Sequence, residues 1–498
     1  MANVKKIFPT DWLRWKPYDM ADETDRYYTD LANRVLKILR AEAPVDAFSF
    51  STEYIEAAIR LTCWFEDICS NLGVWRVVNE ECSKRYGSPV PFYDTERYYR
   101  GEVNVADVKL ILWAYLQHIN PRGSLLNPEN PAVERLANKI AELLEGEYEY
   151  APENARLYEF VHNPAIADDW SALRLWLNWF SSHSYVFIGQ RDRLQEAIED
   201  LREEEQDIPE LIYSLQTDMV FNDKGNLLSL APPKWCSRIT GFRQIERVEK
   251  YEASIYRYMG RTQECMTLKD VFTEKEYDVV TTTLVHNGDI LKDAKVGKSV
   301  FSADIATDGN RYYLSGIMVP AGDMDNPILK DELQKYQEIE RAKAFNRQLY
   351  KDFVKANRGS QYAFLKDYDA LLKYYSKKLG IHDAAVSQIP PQLISAEDIT
   401  LIGDPDNGIC ISPISARIIF HKSNRFYDWE YADMNAIGAY ASSGFFPYKQ
   451  ACILHDDNML PDARINSLKG EEYGRKFIRQ HGAYLIDYFY KCTREYDF

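Results

Sequence analysis

Ser254-Ile255-Tyr256-Arg257-Tyr258 opens a series of β-branched and aromatic runs that continues with Tyr277 to Leu284, Val300 to Ile305 and Tyr312 to Val319. Partial alternation of apolar and polar residues, broken by short spacers, is the pattern of half-buried strands. Asp308-Gly309, between the last two runs, marks a hairpin, because a tight turn needs positive φ and glycine adopts it without steric cost. Four or five short strands within residues 250–320 predict a small β-barrel or a strongly curved antiparallel sheet.

On the N-terminal side of Pro232-Pro233 the period is helical. Tyr28, Leu31, Ala32, Val35, Ile38 and Leu39 recur at the spacing of one buried face, and so do Val108, Ile111, Leu112, Tyr115 and Ile119. Around Trp170, Leu173, Leu175, Trp176, Leu177, Trp179 and Phe180 the pattern is apolar almost all round, which predicts a helix enclosed by others. From Asn326 the helical period returns. Pro390-Pro391 breaks it, Gly408 to Ile411 reads as a short strand, and a last helix is predicted from Glu471 to Thr493. The expected class is α+β, with a helical domain at 1–235, the barrel or curved sheet at 236–325, and a mainly helical domain at 326–498.

The 498 residues include 60 basic and 76 acidic ones, a net charge of −16, and 46% are hydrophobic, which is a globular composition. An acidic surface repels nucleic-acid phosphate and anionic lipid, so such partners require a local basic patch. The opening Met1 to Pro9 is followed by Asp11, Arg14 and Lys16 where an export signal needs apolar residues. No uncharged apolar run reaches the length of a membrane span. These features predict a cytoplasmic protein without membrane contact. The eight cysteines form no C-x-x-C or C-x-C pair, so they are expected to be reduced thiols with no structural zinc.

The basic patch exists. Between Arg341 and Gly380 ten basic residues face three acidic ones, a local excess of +7. Lys343, Arg347, Lys351, Lys355 and Arg358 step by three or four residues and share one helix face, while Phe345, Leu349, Phe353 and Ala356 take the opposite side. That face can meet nucleic-acid phosphate, with Tyr362, Tyr374 and Tyr375 nearby to stack on bases, or an acidic protein. A solvated face paired with the chain's own acids is the plain alternative.

Motifs for catalysis are sparse. Gly297-Lys298-Ser299 lacks the earlier glycine of a phosphate-binding loop, since position 292 is Lys292. Asp278 with Asp293-Ala294-Lys295 has the carboxylate order of metal-dependent nucleases, and His455-Asp456-Asp457, with His421 as a distant partner, is the one compact group of metal-ligand type. Adjacent side chains in an extended loop point apart, which weakens that group. Trp12, Trp15 and Tyr18 are expected to pin the N-terminal arm onto the helical core.

Asp11-Trp12-Leu13-Arg14-Trp15-Lys16-Pro17-Tyr18, followed by Thr24-Asp25-Arg26-Tyr27-Tyr28, resembles the opening of an uncharacterised bacterial family known only as a domain of unknown function. Pro232-Pro233-Lys234-Trp235, Leu268 to Thr273, Tyr312 to Gly316, Gly408 to Ile411 and Arg425 to Asp428 are similar to that family and to proteins with a SecA-type zinc knuckle. The resemblance covers most of the chain and implies no activity. Lys491-Cys492-Thr493 has neither the C-x-C nor the following His-Cys of the knuckle, so zinc is not implied. The leading expectation is a non-enzymatic binding or regulatory protein without cofactor, engaging an acidic protein or a local stretch of nucleic acid through Lys343 to Arg358. The second is a metal-dependent hydrolase or nuclease using Asp278, Asp293 and Lys295 or the His455 group.

Overall fold

In the computed structural model the first long helix, Glu23–Glu42, starts on a reciprocal cap: the Asp25 N–H donates to the Asp22 carboxylate at 3.0 Å and the Asp22 N–H donates to Asp25 at 3.2 Å. The same Asp25 carboxylate accepts from the Trp12 indole and the Tyr18 hydroxyl, both at 3.1 Å, and Lys16 forms a buried ion pair with Glu66. The N-terminal arm is thus pinned by polar anchors as well as by its rings. The structure describes residues 6–43, 47–120, 125–203, 209–281, 290–381, 391–413, 415–441, 446–462, 465–467 and 469–492.

Two units make up the chain, one running to Lys330 and including Lys491 and Cys492, the other Asp331–Tyr490. In the first, helices Ser51–Cys69, Val74–Tyr86, Val105–His118, Pro131–Glu147 and Trp170–His183 share a core. The helix enclosed by others is Val105–His118, whose residues 106–117 are all buried, Asp107 and Lys109 included. Trp170–His183, expected to be enclosed, instead exposes Leu175 (59%) on a face with Ser171 and Asn178, because only Leu173, Trp176, Leu177, Trp179, Phe180 and Ser181 turn inward.

The strands follow in the same unit: β1 Glu249–Lys250, β2 Ser254–Arg261, β3 Cys265–Asp270, β4 Glu276–Val280, β5 Ser299–Thr307 and β6 Tyr312–Asp323. Their order is β1-β5-β2-β3-β4-β6, and β6 also pairs with β5. The hairpin between β5 and β6 turns at Asp308-Gly309, with Gly309 at φ +91° and the Asp308 carboxylate accepting from the N–H groups of Asn310 and Arg311. The expected barrel is not closed, and the sheet is mixed and not wholly antiparallel. Among the described residues β4 and β6 run parallel and meet at one pair, Val279↔Tyr312, so no continuous ladder joins them there. Residues 282–289, part of the predicted run to Leu284, lie outside the described residues.

The change of period near residue 235 is a change of element type within this unit. Trp170 stacks on Tyr313 of β6, Ser214 donates to Asp304 of β5, and the Asn222 amide bonds the main chain of Lys250 in β1.

In the second unit the long helix Pro327–Ala356, which begins just before it, leads to β7 Tyr362–Leu365, the helix Tyr368–Lys378, β8 Ile399–Asp404 and β9 Gly408–Pro413. The sheet is antiparallel in the order β7-β8-β9, and Phe353, Ala363, Leu371, Tyr374, Tyr375, Ile399 and Leu401 form its core. Helices Trp429–Ala441, Tyr448–Asp456 and Glu471–Asp487 complete the unit. Of the described residues 55% are helical and 13% lie in strands, which makes the fold α+β. No described helix is long and apolar enough to cross a membrane.

Candidate functional site

The basic face on the long helix is exposed along its length: Lys343, Arg347, Lys351 and Lys355 all lie open to solvent, as does Arg358 just beyond the helix end. Lys343 pairs with Glu340 at 2.8 Å. Arg347, Lys351, Lys355 and Arg358 have no ion pair among the described residues. The opposite face is apolar as predicted but buried only at its C-terminal end. Phe353 is fully buried, whereas Phe345, one residue before the helix meets Gly408 at Asn346, is 54% exposed. The helix stops at Ala356, and Arg358 and Gly359 take left-handed conformations at φ +57° and +93°, with the Gly359 N–H donating to the Val354 carbonyl at 2.8 Å.

That turn forms one wall of an open groove of about 1330 Å³. β7 supplies four consecutive residues to it, Tyr362 to Leu365, and Lys378 and the loop His421-Lys422-Ser423 stand on other sides. Three cations, Arg358, Lys378 and Lys422, are exposed at the groove and have no ion pair among the described residues. Among the described residues of the lining Asp457 is the one acid, and it accepts from the Tyr362 hydroxyl at 3.3 Å. The His421 ring packs against Tyr362 and Phe364, and its Nδ1 lies 2.7 Å from Ser423 Oγ. Burial first, and then the neighbouring Lys422, hold the His421 imidazole below its usual pKa, so the ring is neutral at neutral pH. The positive charge of the groove therefore belongs to Arg358, Lys378 and Lys422.

Tyr362, Tyr374 and Tyr375, expected to offer their faces to bases, are 6%, 7% and 7% exposed. Tyr374 and Tyr375 belong to the core under the sheet and Tyr362 is clamped by His421 and Asp457. Stacking on a splayed base needs a free ring face, and these rings have none.

The metal candidates are not brought together. Asp278, on β4, is exposed and accepts from Thr267 at 2.7 Å, and Asp293 and Lys295 are exposed on the segment before β5. His455 lies on the helix Tyr448–Asp456 beside Tyr440, Asp456 is exposed, and Asp457 turns to Tyr362. Among the described residues no three His, Cys, Asp or Glu side chains are placed to hold a metal ion. His286 and His382 lie outside the described residues.

The first unit holds a cleft of about 520 Å³ lined by Trp15, Glu56, Arg60 and Phe187, among others, which no motif announces. Its guanidinium is already committed: Arg60 donates to Glu56 at 2.9 and 2.6 Å and to the carbonyls of Tyr185 and Phe187 at 3.2 Å. Burial pushes the Glu56 carboxyl up, but the Arg60 charge and hydrogen bonds outweigh it and hold the carboxyl below its ordinary range. This arrangement ties helices and loops together. By contrast, the cations at the groove in the second unit are uncommitted.

Lys422 and Phe364 escaped the sequence reading because neither belongs to a periodic pattern; they reach the groove only through the fold. Searches of curated proteins and of solved structures each found no match. Over residues 6–278 and 326–491, most of its length, the chain matches the family described as Protein of unknown function (DUF3843), and it belongs to that family.

Proposed function

We propose that this is a non-enzymatic binding protein whose second unit engages an acidic polypeptide through the basic face ending at Arg358 and the groove beside it. The observation that carries the reading is the set of uncommitted cations, Arg347, Lys351, Lys355, Arg358, Lys378 and Lys422, exposed on a unit whose total charge, these cations included, is near zero. Asp331–Tyr490 contains 20 basic and 21 acidic residues, so nearly the whole charge of −16 resides elsewhere in the chain. Cations that hold no partner need break no existing ion pair to meet carboxylates, and they steer an acidic partner by long-range attraction. The buried tyrosines favour a polypeptide over single-stranded nucleic acid.

Changing Arg347, Lys351 and Lys355 together to Glu tests the reading. Retention of an acidic polypeptide such as polyglutamate on the immobilised protein is expected to be lost, with an unchanged circular dichroism spectrum and melting temperature. Undiminished retention at low salt refutes the proposal.

A further inference from the structure

We infer that the acidic polypeptide binds as an added strand on the outer edge of β7. The inference rests on the proposed function and specifies how that site holds its partner.

The three-stranded sheet has two edges, and they are treated differently. At the β9 edge, Gly408 lies against the long helix, so close that a Cβ there would come within 3.1 Å of the Asn346 carbonyl oxygen. At the β7 edge no further strand lies among the described residues, and the groove runs along it. An uncovered edge presents main-chain donors and acceptors to whatever extended chain arrives.

The register shows which groups those are. The Gly403 N–H donates to the Gln361 carbonyl at 2.8 Å, so Gln361, Ala363 and Leu365 direct their main-chain groups toward β8. Tyr362 and Phe364 direct theirs outward. Ser360 Oγ already serves Tyr362, accepting from its N–H and donating to its carbonyl, each at 3.1 Å. The N–H and C=O of Phe364 have no partner among the described residues, which leaves one open donor and acceptor pair facing the groove.

The side chains fit the same occupant. Along β7, Ala363 and Leu365 face the core with Tyr374, while Tyr362 and Phe364 face His421. A strand added beyond β7 alternates in the same way, so its residues meet Lys378 on one side and Lys422 on the other, with Arg358 at the end of the groove. Carboxylates at those positions match the uncommitted cations.

The test uses the full chain and a phage-displayed library of random twelve-residue peptides. Selected peptides are expected to be rich in Asp and Glu. A synthetic copy of one is expected to bind Phe364→Pro, which lacks the outward N–H, about tenfold more weakly than Phe364→Ala, which loses the same ring but keeps that N–H. An edge position tolerates proline, since the N–H removed does not pair with β8. Should Phe364→Pro fail to fold, hydrogen exchange of the Phe364 amide in the unaltered protein decides, with protection expected when the peptide is bound. An unprotected Phe364 amide in the complex, or equal binding by Phe364→Pro and Phe364→Ala, overturns strand addition. If the combined change of Arg358, Lys378 and Lys422 to Glu still abolishes binding in that case, the basic site stands and only the added strand falls. If that change leaves binding intact, the proposed function fails as well. Tighter binding of a twenty-nucleotide oligothymidylate than of any selected peptide overturns the choice of polypeptide.

Discussion

The indole of Trp170 lies flat on the ring of Tyr313, with centroids 4.0 Å apart and planes 7° from parallel. One residue starts a helix and the other sits on β6, so the stack joins the helical layer to the curled sheet. A double-mutant cycle of Trp170→Ala and Tyr313→Ala is expected to give a coupling of about 1 kcal/mol in urea unfolding, the range of an aromatic pair beyond its area burial. Additive losses would mean that the two layers are held by other contacts.

Lys16 and Glu66 form an ion pair with both side chains 1% exposed, and Asn154 donates to the second Glu66 oxygen at 2.9 Å. Removing one partner strands the other charge away from water. Lys16→Met is expected to cost about 3–5 kcal/mol. The double change Lys16→Met with Glu66→Leu is expected to cost less than Lys16→Met alone, because no buried carboxylate remains uncompensated. Chemical denaturation of the three proteins at one pH makes the comparison.

Asp107 is fully buried, and burial raises its carboxyl to about 7 despite hydrogen bonds from Tyr98 at 2.8 Å and Asn104 at 3.3 Å that favour the charged form. The folded protein keeps this proton to about pH 7, while the unfolded chain releases it near 3.8. Its contribution to stability is therefore whole below 3.8 and erodes as pH rises to 7, by roughly 4 kcal/mol at most. Asp107→Asn cannot ionise and accepts the same Tyr98 hydrogen bond. Relative to the unaltered protein it is expected to gain stability between pH 4 and pH 7, read from urea midpoints across that range. A difference independent of pH would show that Asp107 ionises alike in both states.

Phe345 and Phe353 occupy the same face of one helix, eight residues apart, yet only Phe353 enters the core, where its ring approaches Tyr374 at 6.1 Å. Phe353→Ala is expected to cost about 3 kcal/mol or more through the cavity it leaves. Phe345→Ser is expected to change stability by less than about 0.5 kcal/mol. Thermal unfolding of both variants separates a buried face from an amphipathic pattern that remains solvated.

That pair also shows where local pattern is informative. Helical spacing identified the long helix and its cationic face, because periodicity follows from backbone geometry alone. It could not say how far along the helix a partner surface extends, since burial depends on elements distant in sequence. Trp170–His183 repeats the lesson: its near-continuous apolar residues read as an enclosed helix, but Leu175 faces solvent, and the enclosed helix is Val105–His118 with Asp107 and Lys109 inside it. The Asp308-Gly309 turn was legible because positive φ is a local demand. The seam of the sheet was not, since it depends on β4 meeting β6 across residues 281–311.

The same division runs through the site. By itself the sequence determined the α+β class, the main strands around the hairpin, and a cationic face from Lys343 to Arg358, each of which follows from local spacing and charge. Only the tertiary structure decided that Tyr362, Tyr374 and Tyr375 are buried, that Asp278, Asp293 and the His455 group form no shared metal site among the described residues, and that Arg358, Lys378 and Lys422 line one groove with β7. Those outcomes depend on which residues far apart in the chain come within a few ångströms of one another, and no periodicity along the chain encodes that proximity.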